Sequence, residues 1–351
     1  AVKCKATDPL FPADFRYGES IAVRVPPGEW LIVDSLEYDG DGTDRVAAAS
    51  LLRAAGQRPK LVALTHPHDD HARGLVEIVE MDHDALIGCC ALNLETRVVN
   101  PEDPDAEAQA RRSRVEHALR AIQNRWQSNP AARWTLQSGE DRVLGDATIR
   151  PLYPDAAALQ AARDNGIPKD LNRISSPILV EWHGCRILLG ADLPKREWGR
   201  IGKQALGSTL GSHAALKVPH HGSASARHYI WSAGAEGRVW IVAPWRKGAA
   251  RLPDFSPGKD VASLLETNDE LHLTSLGRRW NTPGQGPTRT TRSQVHLRRL
   301  PGLDDDFARS VGSYADLAVM RADISARLER SALDRARHVF ADRIIDYAAA
   351  N

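Results

Sequence analysis

Short apolar runs cut by Pro- and Gly-rich turns fill the first three quarters of the chain, a pattern of strands interleaved with helices. Ser20–Val25 (SIAVRV) and Trp30–Val33 (WLIV) flank Pro26-Pro27-Gly28-Glu29, which predicts two strands joined by a turn. Arg45–Ala55 has helical spacing, and Lys60–Thr65 (KLVALT) reads as a buried strand that runs straight into His66. Asp105–Gln127, rich in Ala and Arg, predicts an exposed helix, and Ala156–Arg163 a short one. Strands are predicted at Trp134–Gln137, Val143–Leu144, Thr148–Leu152, Pro177–Trp182, Cys185–Leu189, Leu216–Val218, Val239–Val242 and Leu271–Leu273. Two batches of strands with helices before and between them predict an α/β fold, a sandwich of two sheets covered by helices.

The character changes near Gly277. Gly277–Pro301 carries Arg278, Arg279, Arg289, Arg292, Arg298 and Arg299, no acidic residue, and a central Pro283-Gly284-Gln285-Gly286-Pro287 loop. Beyond Pro301, Leu317, Met320, Ile324 and Leu328 recur at helical spacing, and Val339, Phe340, Ile344 and Tyr347 mark a second helix. We therefore expect a main domain over residues 1–300 and a C-terminal helical extension over 301–351.

Composition narrows the function. The chain has 351 residues, 46 Lys and Arg against 45 Asp and Glu, and a net charge of +1, so an anionic partner must be met by local charge. No apolar run reaches the ~18–20 residues of a membrane span, which predicts a chain without membrane contact. Four cysteines (Cys4, Cys89, Cys90, Cys185) without CxxC spacing fit a reduced, cytoplasmic setting in which Cys89 and Cys185 pack into the core.

The chemistry concentrates in His66-Pro67-His68-Asp69-Asp70-His71, three imidazoles and two carboxylates in six residues, directly after an apolar strand. Alternating side chains of a loop at a strand end can turn toward one point, His66 and His68 to one ion and Asp70 and His71 to a second. Imidazole nitrogen and carboxylate oxygen are ligands for Zn2+ and also suit Mn2+ or iron. The competing reading is a solvated His-rich loop, but so many ionisable groups at an apolar strand end are costly without a counter-ion.

The stretch matches the His-x-His-x-Asp-His signature of the metallo-β-lactamase superfamily, which it resembles in further ordered features. Asp34, ending WLIVD, sits where the superfamily keeps a buried aspartate bracing the metal loop; Asp192 in LLGAD sits at the metal-bridging aspartate, and His220 in KVPHHGS at the last metal histidine. The resemblance implies a four-layer αββα sandwich with two divalent ions (Zn2+ or Mn2+). His66 and His68 would hold the first ion, Asp70, His71 and His220 the second, with Asp192 shared. Within the superfamily, Asn172-Arg173-Ile174-Ser175, Arg186–Asp192 (RILLGAD) and Leu216–Ser223 (LKVPHHGS) resemble the nuclease-like domain of bacterial DNA-uptake (competence) channel proteins. That group carries a His-Pro some thirty residues after its double histidine, where this chain has Leu252-Pro253.

The resemblance implies a metal-dependent hydrolase in which a water shared between the ions attacks a phosphodiester, with Asp70, Asp192 and His221 as the residues closest to the chemistry. His221 would orient substrate or support a ligand; Ser223, Asn172 and Ser175 are candidates for lining the site, and Asp69 for a solvated or supporting place. His272 lies on a late strand. The arginines of Gly277–Pro301 would track phosphates, and Trp231, Trp240, Trp245 and Trp280 are stacking candidates, although most tryptophans are core residues. The same site could hydrolyse a lactone, thioester or β-lactam, since the fold does not choose the substrate. A third reading is a metal-binding sensor or scaffold whose C-terminal helices dock on a protein partner.

Overall fold

A computed structural model describes residues 2–4, 17–37, 46–95, 106–203, 210–213, 215–232, 239–243, 245–247, 250–252 and 270–273. The basic stretch Gly277–Pro301 and the helical extension over 301–351 lie outside these residues. The described chain is a mixed α/β structure of two sheets with helices, as the hydrophobic pattern predicts. Two short strands come first, β1 (Val2–Cys4) and β2 (Tyr17–Glu19). The chain divides into two units, the first comprising Ala1, Gly18–Trp182 and Ala191–Leu193.

That first unit holds a five-stranded sheet in the order β3-β4-β5-β6-β7. Its strands are β3 (Ile21–Val25), β4 (Glu29–Val33), β5 (Leu61–Leu64), β6 (Leu86–Cys89) and β7 (Arg133–Thr135). β3 and β4 pair antiparallel across the predicted turn, and β4 through β7 run parallel. Parallel neighbours on both sides explain why every residue of β5 (LVAL) is apolar and buried.

The unit's helices are α1 (Ala47–Ala54), α2 (Asp69–Ala72), α3 (Leu75–Glu80), α4 (Ala91–Glu95), α5 (Ala106–Ser128) and α6 (Ala156–Asn165). Trp30, Ile32, Val62, Leu64 and Ile87 of the sheet pack with Leu52 of α1, Leu75 and Ile78 of α3, and Val115, Leu119, Ile122 and Trp126 of α5. Each such fully buried aliphatic side chain contributes about 1.5–3 kcal/mol over an exposed one. The expectation of an exposed helix for α5 is thereby corrected. Val115, Ala118, Leu119, Ile122 and Trp126 form a narrow stripe that buries completely, but arginines and glutamines on both sides of it mask the stripe in the sequence.

Three further strands, β8 (Arg142–Leu144), β9 (Ala147–Pro151) and β10 (Ile178–Trp182), form an antiparallel ladder in the same unit. β9 alternates buried and half-buried residues, the pattern of a strand with one face inward. The second unit contains β11 (Cys185–Leu189), α7 (Lys195–Ile201), β12 (Ala215–Lys217), α8 (Tyr229–Ser232), β13 (Val239–Val242), β14 (Trp245–Lys247), β15 (Ala250–Leu252) and β16 (Glu270–Leu273). β11, β12, β13 and β16 run parallel, and His272 of β16 stands opposite Ile241. β14 and β15 form a separate antiparallel hairpin. Trp198, Trp231 and Trp240 cluster with ring centroids 5.8–6.4 Å apart, so Trp231 and Trp240 are core side chains.

One glycine is needed for space. A Cβ on Gly88 of β6 would lie 2.4 Å from Cε3 of the fully buried Trp134 on β7, and the ring has no exposed end to swing away. Gly88→Ala is expected to cost about 1–3 kcal/mol by overpacking, read as a lower urea midpoint at unchanged m-value. An unchanged midpoint would show that the β6–β7 packing gives way freely.

Candidate metal centre

β5 ends at Leu64, and the next residues leave the sheet at its carboxyl end, where parallel sheets place their binding loops. Thr65 and His66 are buried, Pro67 breaks the strand, and Asp69–Ala72 closes one helical turn. His68 caps that turn through its carbonyl, which accepts from the amides of His71 (3.1 Å) and Ala72 (2.9 Å). The amide of Ser35, just after β4, donates to the His71 carbonyl at 2.7 Å and ties the turn to the neighbouring strand.

Asp34 organises the interior. It is wholly buried at the end of β4 with φ of 57°, a left-handed conformation that non-glycine residues adopt at some energetic cost. Its Oδ1 accepts the Thr65 amide (2.7 Å); its Oδ2 accepts the Thr65 hydroxyl (2.8 Å) and lies 2.8 Å from His71 Nδ1. His66 Nδ1 is 3.1 Å from Thr65 Oγ1 and 3.3 Å from Ser175 Oγ. One proton arrangement satisfies all partners: His71 Nδ1–H and the Thr65 hydroxyl donate to Asp34, and His66 Nδ1–H donates to Thr65. Both imidazoles then turn Nε2 toward the remaining carboxylates, the orientation that a carboxylate-braced metal histidine adopts.

On that side the ligand atoms converge. His71 Nε2 lies 3.4 Å from Asp192 Oδ2 and 3.8 Å from Asp70 Oδ2, and His66 Nε2 lies 4.0 Å from the same Asp192 oxygen. Asp70, His71 and Asp192 each bring one ligand atom within 4.8 Å of the others. His66 Nε2 and His68 Nδ1 stand 3.0 Å apart, near the roughly 3.3 Å separating two nitrogens at 2.0–2.1 Å from one tetrahedral Zn2+. The donor set of imidazoles and carboxylates therefore fits divalent ions, and Asp192 is within reach of both histidine groups. The Ser175 hydroxyl accepts the Asp192 amide at 3.1 Å, so this buried serine brackets His66 and Asp192 from behind. Asn172 belongs to the short turn Leu171–Ile174 leading into Ser175, its amide donating to Asp170.

The charges follow from this packing. Burial, together with the neighbouring His71 and His68, holds His66 well below the ordinary imidazole range, and burial lowers His68 as well. Both are neutral at pH 7, the form that binds metal. Burial also works against a charge on His71, but the carboxylates of Asp192, Asp34 and Asp70 outweigh it and raise His71 well above the usual value.

Several supporting residues carry no motif. Thr65 is the hinge of the proton network; a hydroxyl directly after an apolar strand and before His66 is the one sequence signal that points to it. Glu19 is wholly buried and brings a carboxylate oxygen within 4.8 Å of Asp34 and His71. Asp69, expected to be solvated or supporting, is bound by two guanidinium groups, Arg73 and Arg114. Cys89 and Cys185 are buried as expected, and burial pushes both thiols up.

In the second unit, His220 and His221 follow β12 with φ of 50° and 55°. His221 is buried, hydrogen-bonded through Nδ1 to the Ala243 carbonyl (2.9 Å) and stacked on Trp245 with centroids 6.0 Å apart. His220 is half-buried, with Nδ1 3.2 Å from the Ser225 hydroxyl. Ser223 caps the next short turn by accepting the Ser225 amide, a local structural task. Gly190, ahead of Asp192, permits a close approach: a Cβ there would lie 2.7 Å from the Lys217 carbonyl.

Residues 13–91, which include the whole loop from His66 to His71, match the family model of the metallo-beta-lactamase superfamily. This match supports a place in that superfamily. The superfamily fold implies divalent metal binding, and with the His/Asp cluster it supports a metal-dependent hydrolase. Among curated proteins, the chain is 36% identical over 102 residues to a trigger factor of Alkaliphilus metalliredigens, covering 28% of this chain and 22% of that protein. A trigger factor of Clostridium acetobutylicum is 33% identical over 58 residues, 16% of this chain and 14% of that one. The chain thus spans less than a quarter of the curated relatives it matches.

Similar solved structures include a metallo-beta-lactamase from Cronobacter sakazakii, with 14% identity over 56% of this chain and 71% of that one and a TM-score of 0.31. Zn2+-bound PqqB from Methylobacterium extorquens has 13% identity, covering 74% and 76%, with a TM-score of 0.31. A diphosphatase of the PhnP family has 10% identity, covering 79% and 81%, with a TM-score of 0.36. Among the described residues, no helix is long and apolar enough to cross a membrane.

The raised pKa of His71 gives a signed expectation. The surrounding carboxylates favour the doubly protonated ring in the metal-free protein, and a ligand nitrogen must give that proton up, whereas His66 and His68 are held below the ordinary imidazole range. Loading the apo-protein with Zn2+ should therefore release about one proton through His71, measured by calorimetry in buffers of different ionisation enthalpy. Buffer-independent heats would mean that His71 is neutral beforehand.

Proposed function

We propose that the chain is a metal-dependent phosphodiesterase acting on nucleic acid or a nucleotide, with two divalent ions, Zn2+ or Mn2+, at its centre. The observation that carries the hydrolytic reading is the Asp34–Thr65 network, which presents Nε2 of His66 to Asp192 and Nε2 of His71 to Asp70 and Asp192. Such a set is costly to build unless cations occupy it. When bound, such ions supply a water-derived nucleophile near neutral pH and neutralise charge on a phosphoryl group.

The residues divide the work. His66 and His68 would hold one ion, Asp70 and His71 the other, and Asp192 both. Of the double histidine, we assign His221 as the ligand. Its Nδ1 donates to a backbone carbonyl, which leaves the lone pair of the neutral ring on Nε2. His220, half-buried beside the Ser225 hydroxyl, is then placed to orient substrate. This exchanges the roles that the motif resemblance alone implies.

The phosphodiester class is supported by the likeness of Asn172–Ser175, Arg186–Asp192 and Leu216–Ser223 to the nuclease-like domain of DNA-uptake channel proteins. Trp245, stacked on His221 at the start of the β14–β15 hairpin, agrees with a substrate that carries a base. Carbonyl hydrolysis of a lactone or thioester is the second reading, since a centre of this donor set can stabilise the oxyanion of either reaction.

The test compares wild type, His68→Ala and Asp192→Ala for bound metal and for Mn2+- or Zn2+-dependent hydrolysis of bis(p-nitrophenyl) phosphate and single-stranded DNA. Wild-type turnover falling at least about a hundredfold in both variants is the expected result. Metal-loaded wild type that leaves both phosphodiesters intact would refute the phosphodiesterase and favour carbonyl substrates.

A further inference from the structure

The four-residue helix α2 supplies Asp70 and His71, and its preceding carbonyl belongs to His68, yet so short a helix has no stability of its own. Its carboxyl end is pinned by the Ser35 amide on the His71 carbonyl and by the parallel bridge between Ser35 and Ala72. Its amino end begins at Asp69. There Arg114 of α5 grips the carboxylate side-on, Nε to Oδ1 at 2.7 Å and Nη2 to Oδ2 at 3.0 Å. Arg73, one helical turn on, donates to the same Oδ2. The side chains of Asp69, Arg114 and Arg73 are 13%, 23% and 5% exposed, so the cluster is largely shielded from solvent.

We infer that Arg114 is a positioning residue of the metal centre, acting through Asp69 on the backbone that carries His68, Asp70 and His71. The inference rests on the metal centre proposed above, and not on the phosphodiester substrate.

Two physical effects converge. The first is geometric. Arg114 is borne by a helix fixed to the core at Val115, Leu119, Ile122 and Trp126 and by Arg125, which donates to the Val79 and Asp82 carbonyls at 2.8 Å each. A planar guanidinium in a two-point grip transmits that fixed position to Asp69, where a lysine would offer only a point charge. The second is electrostatic. Asp69 and Asp70 are adjacent carboxylates that would compete for one cation. The two guanidinium groups occupy the oxygens of Asp69, so that Asp70 is the member of the pair turned to His71 Nε2.

The experiment measures Zn2+ affinity by competition with a chromophoric chelator, the visible spectrum of Co2+-loaded protein, and the melting temperature of the apo-form. Wild type is compared with Arg114→Ala, Arg114→Lys and Asp69→Asn. Loss of an outer hydrogen bond to a metal site costs about 10–100-fold in affinity. Arg114→Ala and Asp69→Asn should each weaken Zn2+ binding by about tenfold or more and shift the Co2+ bands, with Arg114→Lys in between.

A purely structural salt bridge would lower the apo melting temperature and leave affinity and Co2+ spectrum at wild-type values, which overturns the inference. Should Arg114→Ala fail to fold, Arg114→Lys and Asp69→Asn carry the same comparison. Wild type that binds Zn2+ without cleaving phosphodiesters refutes the proposed substrate alone; unchanged Zn2+ affinity in these variants refutes the role of Arg114 alone.

Discussion

Asp34 accepts three hydrogen bonds with two oxygens in a wholly buried position, and the histidines around it are arranged by that fact. A buried carboxylate must be compensated, and it finds the Thr65 amide and hydroxyl and the His71 ring. Each bond has a consequence one residue further on. Because the Thr65 hydroxyl proton goes to Asp34, its oxygen is left to accept from His66; because His71 Nδ1 gives its proton to Asp34, Nε2 faces Asp70 and Asp192. The preference of one anion thus sets the orientation of two imidazoles belonging to the two halves of the His-x-His-x-Asp-His motif.

The loop is held from outside as well as from within. A run containing two prolyl-flanked histidines and a one-turn helix has too few internal hydrogen bonds to keep its shape. The Ser35 amide, the Ser176 amide on the Thr65 carbonyl at 3.1 Å, and Ser175 on His66 and Asp192 fasten it to β4 and to the segment before β10. Arg114 fastens it to α5. These restraints come from distant parts of the chain, so the shape of the loop depends on the fold around it.

This division explains what the amino-acid sequence made legible. The strands β4 and β5 were readable because buried parallel strands are unbroken apolar runs, and His66 to His71 because no ordinary loop gathers so many ligands. Asp34 and Asp192 were found through motif resemblance, each at the end of an apolar run. β6 and α3 were not predicted: LIGC is short and contains a glycine, and LVEIVE is as compatible with a strand as with a helix. Arg114 and Glu19 were out of reach, since each meets its carboxylate or imidazole partner across 15 to 52 residues and neither belongs to a local pattern. Thr65 stood in plain view, but a single hydroxyl at a strand end is common, and only its bond to Asp34 separates it from others.

Among the described residues, left-handed non-glycine backbone recurs at four strand-end positions as well as at His183 in the turn between β10 and β11. Asp34, Ala191, His220 and His221 are non-glycine residues with φ between 46° and 57°, and all four follow the ends of β4, β11 and β12. A residue in that conformation costs about 1–3 kcal/mol and persists only where its surroundings hold it. At each of these strand ends the chain has to turn abruptly, and a glycine would do so more cheaply. A glycine at 34 would lose the carboxylate that orients the imidazoles, and one at 220 or 221 would lose an imidazole. At Asp34 and the histidine pair, the strain follows from the need for a functional side chain at the point where the backbone turns. At Ala191, which has no such group, it follows from the position itself: the residue joins Gly190, pressed against the Lys217 carbonyl, to Asp192, whose amide is held by Ser175.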